Sequence, residues 1–202
     1  MRTKISIFLL VSSVIVFFAI ATIAQAKGLD TGLSLKEKKV VIIYGSRYGA
    51  TAQTARWIAE GMQGKAEVFS AKEARNLAAY DLVILGSGIY NDQLHEDMLA
   101  FLEKNKGELK NKVIALFVVC GASGSYAQNY LIMFAEKFDF LAVPTLTRAF
   151  NGWLRKELLS PEDYKLLENY YKEINQPFEN YDNTDKAKCL QFGKEILEAI
   201  SK

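Results

Sequence analysis

Apolar runs and amphipathic stretches alternate along this chain. Residues 40–44 are hydrophobic without alternation, which predicts a strand buried on both faces of a parallel sheet. The run breaks at Gly45, and an amphipathic helix follows at once, with Ala55, Ile58, Ala59 and Met62 on one face. Further strands are predicted at 66–69, 82–85, 113–119 and 142–147; the run 113–119 is the most continuously apolar and therefore central. One intervening helix carries Leu94, Met98, Phe101 and Leu102 on a stripe and ends at Gly107, and another carries Tyr130, Phe134 and Phe138. The last helix, over 184–201, packs Phe192, Ile196 and Ile200. Regular alternation of strand and helix predicts an α/β fold, a doubly wound sheet of five parallel strands.

Between the fifth strand and the last helix lies an insertion, 148–183, centred on one more helix. Ser160 is placed as its N-cap, Pro161 as its first residue, and Glu162 and Asp163 lie in its first turn. Leu167, Tyr170, Tyr171 and Ile174 form an apolar face, and Pro177 is expected to end it. The fifth strand delivers the chain to the ligand end of the sheet, so Phe150-Asn151-Gly152-Trp153 is expected there too. Two readings stand side by side: a wall for a substrate or partner, or an extra helix that covers an edge and buries Trp153.

In a sheet of this kind, ligands sit at the carboxyl ends of the strands, where strand order reverses. Three loops meet there, 45–51, 86–92 and 120–126, and all are rich in Gly and Ser. Small residues let backbone approach a flat ring closely. The first loop, Gly45-Ser46-Arg47-Tyr48-Gly49-Ala50-Thr51, also leads into a helix N-terminus. The unpartnered N–H groups and the positive dipole end there suit a phosphate, and Ser46 and Thr51 add hydroxyls. It has neither the Lys of a Walker A loop nor the GxGxxG spacing of a dinucleotide fingerprint.

Ser46-Arg47-Tyr48-Gly49-Ala50-Thr51, directly after the first strand, resembles the FMN phosphate loop of the flavodoxin-like proteins. Tyr48 stands where ordinary flavodoxins usually carry Ser or Thr. Arg47, followed by Gly49 and Thr51, is closer to the branch of quinone-dependent protoporphyrinogen dehydrogenases, whose members also extend the chain before the last helix. The likeness runs from about residue 38 to 200. It implies the flavodoxin strand order 2-1-3-4-5, FMN as cofactor, and flavin-flanking roles for the other two loops. Gly88, Ile89, Tyr90 and Asn91 would lie along one side of the ring, and Gly121, Ala122, Ser123 and Tyr126 on the other, with Tyr90 or Tyr126 able to stack on it.

Residues 1–26 are a different kind of segment. A short basic start with Arg2 and Lys4, an apolar core over 5–23 and the small-residue site Ala24-Gln25-Ala26 read as a secretory signal. The core is about 19 residues long, enough for a bilayer, so an uncleaved N-terminal membrane anchor is the rival reading. Both place the domain on the far side of the membrane, with membrane association through the N-terminus in the second case. Residues 27–38 form a polar linker, and 39–202 form the domain.

The chain has 25 basic and 23 acidic residues, and Arg2 and Lys4 account for the excess. The neutral body, without a Lys/Arg stripe, argues against a nucleic-acid partner. One His and two Cys give no set for zinc or iron. His95 is expected as a surface or capping residue, with Asp92 and Glu96 as first-turn charges. Cys120 and Cys189 are expected as separate thiols. No catalytic side chain stands out. Three functions remain open: an FMN oxidoreductase facing a quinone or a porphyrinogen-like substrate, a flavodoxin-type carrier serving a small redox partner, or a flavodoxin-like binding domain without its cofactor.

Overall fold

The computed structural model describes residues 38–73, 76–122, 124–137 and 146–201. The expected leader, nearly all of the expected linker, Ser123, Phe138 and positions 142–145 of the expected fifth strand lie outside them. Five parallel strands make the main sheet: β1 (Val40–Gly45), β2 (Ala66–Ser70), β3 (Leu82–Tyr90), β5 (Val113–Cys120) and β6 (Leu146–Asn151), in the order β2-β1-β3-β5-β6. Counting parallel strands alone, this is the expected order 2-1-3-4-5. A two-residue strand, β4 (Gln93–Leu94), pairs antiparallel with the end of β3.

The absence of alternation in β1 has the expected cause: Val40, Val41, Ile42 and Ile43 are all buried, successive side chains entering opposite layers. Val41, Ile43, Val83, Leu85, Leu116 and Val118 meet Met98, Phe101 and Leu102 of α2 (Glu96–Leu109) and Leu131 and Phe134 of α3 (Gly124–Lys137). Val40, Ile42, Ile84, Ala115 and Phe117 meet Ala55 and Ile58 of α1 (Ala50–Gly61), its C-cap Met62, and Cys189, Phe192 and Ile196 of α5 (Lys186–Ile200). Cys120 and Cys189 are both buried and unbridged.

Helices α1 and α5 cross closely because both are glycine at the crossing. A Cβ on Gly193 would sit 2.2 Å from the Ile58 carbonyl oxygen, and one on Gly61 would sit 2.2 Å from that of Leu190. The obstacle is backbone, which cannot swing aside. Gly193→Ala is therefore expected to lower stability by about 1–3 kcal/mol, read as a shift of the urea midpoint; an unchanged midpoint would show that the helices separate at little cost.

Three sequence expectations need correction. First, 86–90 is strand rather than loop. Gly86, Ser87 and Gly88 continue the ladder to Phe117, Val118 and Val119. The reason is packing: a Cβ on Gly86 would lie 2.0 Å from the Phe117 ring, so glycine here makes room for an aromatic side chain of the next strand. The strand then reverses in a two-residue turn at Asn91 and Asp92, with φ of 47° and 58°. That is the left-handed pair a tight hairpin needs, and Asn and Asp tolerate it. Asp92 is thus a turn residue, not part of the first turn of α2.

Second, the edge strand runs past the expected end at 147, to Asn151. Arg148 disguised it: its guanidinium pairs with Glu195 at 2.8 Å and lies 5.1 Å from the Phe192 ring centre, covering α5 from the sheet edge. Third, the insertion helix, α4 (Pro161–Glu173), has its Ser160 cap and Pro161 where expected, but ends before Pro177. Asn175, at φ 52°, takes the left-handed position that terminates it. A two-stranded ribbon, β7 (Trp153–Leu154) with β8 (Tyr181–Asp182), closes the insertion at its base.

Candidate functional site

The carboxyl ends of β1, β3, β5 and β6 open onto one cavity of about 840 Å³. Gly121 and Gly152 lie in its lining. Added Cβ atoms would lie 2.9 Å from Thr51 Oγ1 at Gly88, 3.0 Å from the Tyr181 hydroxyl at Gly121, and 3.1 Å from Val119 at Gly152. The space above each of these glycines is thus taken by a neighbouring side chain, and above Gly88 by the Tyr90 ring as well. Tyr48, Ala50, Thr51, Ile89, Tyr90, Asn91, Gly121, Ala122 and Tyr126 all line the cavity, so the structure brings together residues of all three predicted loops. Ser123 lies outside the described residues.

The loop 45–51 turns on Gly49. At φ 90° it is left-handed, and it precedes α1 as its N-cap. The Ser46 hydroxyl accepts from the Gly49 N–H at 3.2 Å and holds the curl. No acidic residue occupies the first turn of α1, so its positive end is not neutralised by the helix itself. Thr51 is buried.

Arg47 points away from the cradle. Its guanidinium donates to Asp163 at 2.7 Å and to Glu96 at 2.9 Å. The bond to Asp163, ahead of partial burial acting the other way, holds the guanidinium far above its ordinary pKa. Partial burial pushes the Asp163 carboxyl up, but bonds from Tyr48 and Arg47 outweigh it and leave the group below its usual value. The Tyr48 hydroxyl donates to Asp163 and accepts from the Ser160 N–H. The Trp153 indole N–H donates to the Tyr48 carbonyl at 3.0 Å. Trp153, Ser160 and Asp163 of the insertion therefore fix the loop from outside.

Tyr90 and Tyr126 differ sharply. The Tyr90 hydroxyl accepts from the Arg47 N–H at 2.9 Å, inside the loop, and the Arg47 guanidinium lies 4.8 Å from its ring centre. Tyr126 is 71% exposed at the cavity rim, with its ring available for stacking. His95 caps α2, its Nδ1 accepting from Asp97 N–H, and is buried rather than at the surface. Burial, against the pull of Asp97 and Glu96, lowers its pKa, so it is held neutral.

The insertion supplies the outer wall. No residue of α4 is buried; Leu166, Leu167, Tyr170, Tyr171 and Ile174 face the cavity, and Leu166, Tyr170 and Ile174 are exposed. Tyr181 of β8 adds a further hydroxyl, whose pKa burial, followed by its neighbour Tyr171, pushes up to about 12. Across the cavity, Tyr130 donates to Asp92 at 2.5 Å. Sequence reading placed Trp153 here but missed Asp163, Leu166, Tyr130 and Tyr181. Nothing local pairs Asp163 with Arg47 and Tyr48; as a first-turn acid it already had a sufficient role.

A family model described as a flavodoxin domain matches residues 41–179. Among solved structures, the Flv1 flavodiiron core from Synechocystis sp. PCC6803 superposes with a TM-score of 0.54 at 17% identity, covering 83% of this chain and 37% of that one. A flavodoxin from the domain Archaea gives 0.52 at 17% identity, covering 81% and 99%. A Streptococcus pneumonia TIGR4 flavodoxin gives 0.52 at 12% identity, covering 80% and 97%. This chain thus spans little more than a third of the flavodiiron core and nearly all of either flavodoxin. At these identities the likeness is one of fold. No curated protein matches the chain.

Proposed function

The chain belongs to the flavodoxin domain family, and we propose that it is an FMN-binding redox protein that uses the cavity above its sheet. One observation carries the reading: a phosphate-type loop and a cavity of about 840 Å³ are continuous with one another, Tyr48, Ala50 and Thr51 of the loop lying in the cavity lining. That volume lies within the usual range for cofactor-sized sites. The N–H groups at 46–51 and Thr51 would take the phosphate; Ile89, Gly121 and Ala122 would flank the ring, and Tyr126 would cover its open side. FMN, when bound, supplies one- and two-electron redox chemistry. The protein's part is to orient the ring and exclude water from it.

The finer proposal is oxidation of a flat apolar substrate, quinone-linked and similar to protoporphyrinogen dehydrogenation. It is supported by the insertion, whose Leu166, Tyr170 and Ile174 extend the apolar wall beyond the three loops. The rival is a carrier without a substrate, favoured by the near-complete cover of two flavodoxins. Turnover separates them. FMN-loaded protein is expected to pass electrons between a porphyrinogen and a soluble quinone analogue; exchange only with a small redox protein would establish the carrier. The leader points to work beyond the cytoplasmic membrane, free or anchored, which protease accessibility in whole cells would test. Among the described residues no helix is long and apolar enough to cross a membrane.

A further inference from the structure

The loop that suits a phosphate already holds an oxygen. The Tyr90 hydroxyl accepts the Arg47 N–H at 2.9 Å, and the Tyr48 N–H and the Ser46 hydroxyl draw its pKa down against burial. The arrangement is built, not incidental. Tyr90 follows Gly88 by two residues and so projects from the same face of β3. A Cβ at Gly88 would lie 2.7 Å from the Tyr90 ring and 2.9 Å from its hydroxyl, so the ring can fold back over its own strand only because residue 88 is glycine. The ring is then gripped edge-on by His95, with centres 5.5 Å apart, and covered by the Arg47 guanidinium.

We propose that the Tyr90 hydroxyl is a displaceable occupant of the phosphate seat, and that the seat selects a phosphorylated flavin by exchanging this phenol for a phosphate. This rests on the FMN reading above. The exchange is one of like bonds with unlike charge. Burial, against the donors of the loop, raises the Tyr90 pKa and keeps the phenol neutral. A phosphate takes over the same N–H donors and adds charge that the end of α1 favours. An uncharged ribityl hydroxyl gains nothing by the swap and leaves Tyr90 in place. The Arg47 side chain takes no part, because Asp163 and Glu96 hold its guanidinium outside. Since Tyr90 lines the cavity as well, rotation of its side chain carries the ring out of the seat and into the cavity wall.

The test compares FMN with riboflavin, which lacks the phosphate, on the full chain and on Tyr90→Phe. Phenylalanine keeps the ring contacts and removes only the oxygen. Dissociation constants from flavin fluorescence quenching are expected to show FMN binding roughly 3- to 10-fold tighter in the variant, the worth of one neutral hydrogen bond no longer to be displaced. Riboflavin binding is expected to stay within about twofold by the same reasoning. FMN binding that is unchanged or weaker in the variant, or an equal gain for both flavins, overturns the proposal and leaves the FMN reading standing. If wild type binds neither flavin, the FMN reading falls and this inference with it.

Discussion

Gly49→Val is expected to abolish micromolar FMN binding and to lower stability by about 2–3 kcal/mol. Two costs combine. Gly49 sits at φ 90°, where a β-branched residue is strained by an amount of that order. Its new Cβ would also lie 3.3 Å from Trp153, the residue that pins the Tyr48 carbonyl. A loop that relaxes away from this conformation loses the convergence of its N–H groups. Each bond to a charged phosphate is worth about 1.5–3 kcal/mol, so losing two weakens binding by more than 100-fold. Thr51→Ala removes a single hydroxyl and is expected to cost only about 1–2 kcal/mol of binding. Isothermal titration with FMN, beside urea denaturation of the same samples, checks both numbers. Wild-type affinity in the valine variant would mean that the loop plays no part.

The second large effect concerns the link between loop and insertion. Asp163→Ala removes the common acceptor of Arg47 and Tyr48, and it is expected to cost about 1–3 kcal/mol of stability near neutral pH. Protease cleavage within α4 should rise, because that helix buries no residue of its own and depends on such ties. The sign of the pH dependence follows from the lowered carboxyl pKa. The contribution is complete above the unfolded value, about 3.9, and is lost as pH falls through the lower folded value. Asp163→Asn keeps an acceptor for Tyr48 but no charge for Arg47, so it should be milder and remove part of the acid dependence. Urea midpoints across acid pH for the three proteins measure this. Identical acid limbs would show that the Arg47–Asp163 pair is fully screened.

The sheet could be read from the sequence because parallel strands buried on both faces leave continuous apolar runs, as at Val40–Ile43. The first ligand loop was legible for a related reason: a strand, a small-residue turn and a helix start are contiguous in the chain. The end of β3 was not legible, because Gly86 and Gly88 look like a loop until Phe117 and the Tyr90 ring occupy the space above them. Edge strand β6 carries Arg148, whose partners Glu195 and Phe192 lie more than forty residues on. The Asp163 tie spans 116 residues to Arg47. Contacts of that separation leave no periodic trace. The apolar face of α4 was visible, but it turned toward the cavity rather than into a core, a choice made by the ribbon and the tie together.

One measurement bears most directly on whether this cavity is a flavin site. The purified full chain is titrated with FMN while flavin fluorescence and the visible absorption band are followed. The account predicts quenching with a dissociation constant of about 1 μM or tighter, one FMN per chain, and a shifted band as the ring leaves water. Unquenched fluorescence and an unshifted band at tens of micromolar FMN would contradict it.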